Sequence, residues 1–141
     1  MIKSKWVSTS ADETFQIGKA WGATLKSGAV IAFTGDLGSG KTTFIRGIAD
    51  SFAIDTHSVS SPTFTYLNVY SGSKTLYHFD LYRIKDVKAF LAAGFDDFLQ
   101  EDAICCIEWA ERIDTLLKES AYRVSITALS EEKREICLRS C

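Results

Sequence analysis

The chain has 141 residues, 46% of them apolar and 24% charged, with a formal net charge of -2. Those values fit a single domain spanning residues 1–141, and two domains would strain the length. The slight acidity argues against a protein that grips nucleic acid by itself, because counterion release needs a concentrated basic surface.

The longest apolar runs, such as "AVIAF" (29–33), fall far below the roughly 20 residues that a membrane helix needs. The start "MIKSKWVSTS" lacks a signal-peptide hydrophobic core. A cytoplasmic protein with no membrane partner is expected. Cys105, Cys106, Cys137 and Cys141 form no CxxC pair, and adjacent Cys105 and Cys106 point to opposite faces of a strand. They read as reduced packing or surface residues.

In chain order, "SADETFQIGKAWGATLKSG" reads as a helix ended by Gly28. Ser10 and Glu13 form its capping box, and Phe15, Ile17, Ala20, Trp21, Ala23 and Leu25 its apolar face. The continuous apolar run "AVIAFTG" (29–35) suits a parallel strand buried on both faces. After a glycine-rich stretch, "TTFIRGIADSFAI" has helical spacing through Phe44, Ile48 and Phe52, weakened by Gly47. "YLNVYSGSKTLYHFDLY" reads as a hairpin turning at "SGSK", and "DVKAFLAAGFDDFLQ" as a helix broken near Gly94. "AICCIEWAERIDTLLKES" reads as a buried strand ending at Glu108 and then a helix. "YRVSITAL" and "REICLRS" close the chain as an antiparallel pair. Strands alternating with helices imply an α/β domain with a mostly parallel central sheet and antiparallel additions.

The stretch "GDLGSGKTT" (35–43) lies between a strand and a helix, and Gly35 with Gly40-Lys41-Thr42 fits GxxxxGK[ST]. Glycines let the backbone turn with positive φ and approach a phosphate, while successive N–H groups and the helix N-terminus cradle the anion. The candidate nucleotide-binding residues are therefore Gly35, Asp36, Leu37, Gly38, Ser39, Gly40, Lys41, Thr42 and Thr43. Lys41 would reach the β- and γ-phosphates, and the Thr42 hydroxyl would ligate Mg2+.

Such a loop needs an acid, and two strand ends offer one. Glu108 closes "ICCIE", the more apolar strand, and Asp80 closes "LYHFD". Ligands sit outside the carboxyl ends of strands in open α/β sheets, so both can face the phosphates. Glu108 is assigned to the metal and Asp80 to the attacking water or γ-phosphate. "SVSSPTF" (58–64) is either a loop ordered by the γ-phosphate or a plain polar turn. Arg83 is either a phosphoryl-charge stabiliser or a surface ion-pair partner. Trp109 lies beside Glu108, either near the nucleotide or as packing.

Together "GDLGSGKTTF", "SPTF", "HFDLYR" and "IEW" resemble the TsaE (YjeE) family, P-loop ATPases of bacterial tRNA threonylcarbamoyladenosine biosynthesis. The resemblance runs from about residue 10 to residue 112 and implies a P-loop NTPase fold that binds ATP and Mg2+ and hydrolyses ATP slowly. It implies TsaB and TsaD as partners, with tRNA engaged indirectly through that complex at adenosine 37. By position it places Lys41 and Thr42 on the family's lysine and metal ligand, Asp80 and Glu108 on its two acids, and Trp109 on its tryptophan. Ala110 departs from the proline that often follows "EW" in the family. The 8–14 region and the 130–134 turn are candidates to close over the base. A small-molecule kinase using the same loop is the alternative, but no arginine cluster follows the core to form the lid such enzymes carry.

Overall fold

The computed structural model describes residues 2–140 apart from Leu37, Thr63 and Glu101. Its seven strands are β1 (Ile2–Ser8), β2 (Val30–Thr34), β3 (Leu67–Ser71), β4 (Thr75–Asp80), β5 (Ile104–Glu108), β6 (Tyr122–Ala128) and β7 (Arg134–Arg139). The helices are α1 (Ala11–Gly22), α2 (Lys41–Ser51) and α3 (Val87–Ala92). One sheet has the order β1-β7-β6-β2-β5-β4-β3. The four central strands β6, β2, β5 and β4 run parallel. The pairs β3/β4, β6/β7 and β1/β7 are antiparallel.

This is the α/β P-loop arrangement expected from the sequence. All five residues of "ICCIE" are buried, as a strand covered on both faces requires. Side-chain alternation divides the core: Ile31, Phe33 and Cys106 join one cluster with Phe44 and Ile48 of α2, and Ala32, Cys105 and Ile107 join another with Phe90 of α3. Cys105 and Cys106 therefore face opposite ways, and with Cys137 they are free thiols. Burial pushes the Cys106 thiol well above its ordinary pKa. Cys141 lies outside the described residues.

Several expectations need correction. Helix α1 ends at Gly22 rather than Gly28, with the Ala23 N–H bonded to the Lys19 carbonyl. Its buried face is Thr14, Gly18 and Gly22, while Ala20 and Ala23 are exposed. The capping box is half as drawn, since the Glu13 N–H donates to Ser10 Oγ at 3.1 Å but the Glu13 carboxylate turns to Thr9. The segment after β5 is a kinked 3-10 helix (Ala110–Leu116), and β1 adds an edge strand that the sequence reading did not contain.

The glycines explain the α1 face. A Cβ on Gly18 would lie 2.3 Å from the Phe44 carbonyl oxygen, and one on Gly47 would lie 2.1 Å from the Phe15 carbonyl oxygen. The two helices thus cross backbone to backbone, and apolar periodicity does not register such a contact. Alanine at position 47 would raise helix propensity by about 1 kcal/mol, yet it would force both backbones apart. We expect Gly47→Ala to destabilise the fold by about 1–3 kcal/mol. Thermal unfolding checks this, and an unchanged or higher midpoint would contradict it.

Candidate nucleotide site

The phosphate loop leaves β2 at Gly35, where φ is 146° and a Cβ would meet the Ile126 carbonyl oxygen at 2.5 Å. Only glycine fits there. Gly40 caps α2 with φ 107° and gives it no side-chain cap, so the first-turn N–H groups of the helix keep their donors for an outside acceptor. Leu37 lies outside the described residues. A cavity of about 420 Å³ opens beside the loop, lined by Gly38 through Thr43 on one side and by Ser61, Asp80, Tyr82, Arg83, Glu108 and Trp109 on the other.

Strand pairing brings the two acids level. Asp80 is the register partner of Glu108 across β4 and β5, and Phe33 is its partner on β2, so both carboxylates stand at the strand ends next to the loop. The Thr42 hydroxyl lies 3.2 and 3.3 Å from the two Glu108 oxygens. Asp80 is tied otherwise: it accepts the Tyr82 N–H at 2.9 Å and the Ser61 hydroxyl. Thr42 and Glu108 thus converge, while Asp80 is joined to the 58–64 loop and to the turn that follows β4.

Lys41 is 4% exposed. Its Nζ donates to the Gly35 carbonyl at 2.5 Å and stands 3.9 Å from the centre of the Trp109 ring. Burial lowers its pKa from 10.5, and Glu108, Glu111, Asp80 and Asp36 oppose that shift. Trp109 has φ 58°, a left-handed backbone rarely taken by a bulky residue, and its ring packs 5.0 Å from Tyr82. The half-buried indole thus packs against the second core cluster and also meets the lysine. Arg83 stacks its guanidinium on Phe64, 4.9 Å from the ring centre.

Arg134 is a site residue with no motif to announce it. Its Nε donates to the Ser39 carbonyl at 2.9 Å and an Nη to that of Gly38 at 3.4 Å, while another Nη holds the carbonyls of Ser130, Glu131 and Lys133. It lashes the β6–β7 turn to the phosphate loop from 95 residues away in sequence. A second cavity of about 320 Å³ lies there, lined by Ala11, Thr14, Gly38, Gly40, Thr43, Glu131, Glu132 and Arg134.

Among the described residues, no group of three or more His, Cys, Asp or Glu is placed to hold a metal. The Thr42 hydroxyl and Glu108 carboxylate fit instead a hard cation that takes one or two protein oxygens and completes its shell with phosphate and water. No helix among them is long and apolar enough to cross a membrane.

The family model for "Threonylcarbamoyl adenosine biosynthesis protein TsaE" matches residues 8–136. The chain belongs to the TsaE family. It is 38% identical over 130 residues to the tRNA threonylcarbamoyladenosine biosynthesis protein TsaE of Treponema pallidum, covering 92% of this chain and 96% of that one. Identity to the TsaE of Bacillus subtilis is also 38%, over 137 residues, 96% of this chain and 85% of the relative. The crystal structure of YdiB from Bacillus subtilis superposes with a TM-score of 0.80 at 32% identity, covering 98% of this chain and 86% of that one. This TsaE-family chain thus carries the α/β P-loop fold that its motifs imply.

Proposed function

We propose that the protein binds ATP with Mg2+ and hydrolyses it slowly as an accessory factor of tRNA threonylcarbamoyladenosine synthesis. It acts with TsaB and TsaD and reaches tRNA through them. The observation that carries this reading is the convergence of Lys41, Thr42 and Glu108 at one cavity of about 420 Å³ beside a helix N-terminus with no side-chain cap. Membership of the TsaE family supplies the biological setting.

In this reading the loop N–H groups hold the phosphates, and Lys41 leaves the Gly35 carbonyl to meet the β- and γ-oxygens. Thr42 and Glu108 would hold Mg2+, which when bound neutralises charge on the phosphates. Asp80, held by Ser61 and the Tyr82 N–H, orients the attacking water. The base and ribose take the second cavity, between the start of α1 and the β6–β7 turn. Trp109 is the surface on which Lys41 rests before nucleotide enters.

ATP turnover should be Mg2+-dependent and slow for the protein alone, and it should rise when TsaB and TsaD are added. Steady-state phosphate release checks this. Stimulation by a soluble metabolite with no response to the two proteins would favour a kinase instead.

A further inference from the structure

A buried histidine stands behind the metal-facing acid. His78 is fully buried on β4, and its Nε2 lies 2.6 Å from Glu108 Oε2, the oxygen that is also 3.2 Å from the Thr42 hydroxyl. Its other ring nitrogen, Nδ1, is buried with no hydrogen-bond partner. A core position gains nothing from an orphaned nitrogen, and an apolar side chain would fill the same space without one. Among the described residues, the ring's one hydrogen bond is the one to Glu108. A carboxylate accepts, so Nε2 carries the hydrogen and donates.

We propose that His78 is a positioning residue, holding the Glu108 carboxylate in the orientation that faces Thr42; this rests on the nucleotide-site reading above. Glu108 is itself buried, and its rotatable side-chain bonds would otherwise let the carboxylate turn away from Thr42. A donor behind a ligating carboxylate fixes its direction, and loss of such an outer partner typically costs about 10–100-fold in metal affinity or activity. Nothing in this role brings His78 to the nucleotide.

The test compares the full chain with His78→Leu and His78→Gln, since a glutamine amide can supply a donor near the position of Nε2. Binding of a fluorescent ADP analogue is titrated against Mg2+ and repeated in EDTA, with kcat and KM for ATP and a melting curve for each protein. His78→Leu should raise the Mg2+ needed for half-maximal tight binding by about 10–100-fold, leave affinity in EDTA unchanged, and lower kcat more than it raises KM. His78→Gln should recover most of each loss. A folded His78→Leu protein with the wild-type Mg2+ midpoint would overturn the proposal. Equal loss in both variants, loss of affinity in EDTA, or failure of both to fold would make His78 a packing residue and overturn it as well. Should the wild-type protein itself show no Mg2+-dependent ADP binding, the nucleotide reading would fall instead.

Discussion

Lys41→Ala is expected to cut productive ATP binding and turnover by on the order of a hundredfold or more, with the fold intact. The lysine Nζ meets the Gly35 carbonyl, which lies outside the core clusters, and the ring of Trp109, which is half-buried against the second one. Removing it deletes the one side-chain cation that lies within the loop itself. Stability should move the other way. Because burial holds its pKa below 10.5, the folded state disfavours the charged form. The resulting cost is fully present below the folded pKa and is relieved as pH rises through it toward 10.5. Lys41→Met, which keeps the apolar stem, should therefore melt at or above the wild-type temperature at pH 7, with the gap narrowing in alkali. Nucleotide binding, turnover and melting curves on both variants check this. A folded Lys41→Ala protein with full turnover would remove the phosphate loop from the mechanism.

The second large effect separates the two acids. Glu108 faces Thr42 at 3.2 Å, whereas Asp80 is held by Ser61 and the Tyr82 N–H. Glu108→Ala should weaken the Mg2+ dependence of nucleotide binding, because it removes a hard oxygen from the cation's shell. It also strips His78 of its acceptor, leaving both ring nitrogens of a fully buried side chain unpaired, so some loss of stability should accompany it. Asp80→Asn should retain metal-dependent binding and lose turnover by roughly 10²–10⁴-fold, since a positioning group acts on the transition state more than on the ground state. Mg2+-varied binding titrations paired with turnover assays decide it. The opposite pattern would exchange the two roles and leave the loop's role standing.

What the sequence disclosed was local, and what it hid was not. The loop motif was legible because phosphate binding depends on glycine backbone, a lysine and a hydroxyl within a few consecutive residues. Glu108 and Asp80 were legible as acids ending apolar runs, and the pairing of β4 with β5 then set them side by side. Arg134 was not legible as a clamp, since its partners Ser39 and Gly38 lie some 95 residues earlier and no periodicity links them. The end of α1 was misread because Trp21, Ala23 and Leu25 continue a helical spacing, while the contact that sets the buried face is made by Gly18 and Gly22 through absent side chains. Strand β1 gained its place from pairing with β7 at the far end of the chain, which "IKSKWVS" alone could not indicate. His78 stood in view within "HFDLYR", yet its depth and its bond to Glu108 required the sheet.

The most direct measurement of the central claim is threonylcarbamoyl transfer to tRNA by reconstituted TsaB and TsaD, run with and without this protein and ATP and repeated with Lys41→Ala. The account predicts sustained transfer only when the wild-type protein and ATP are both present, with Lys41→Ala reduced to the level of omission. Transfer that proceeds equally well without the protein, or with Lys41→Ala in its place, would contradict it.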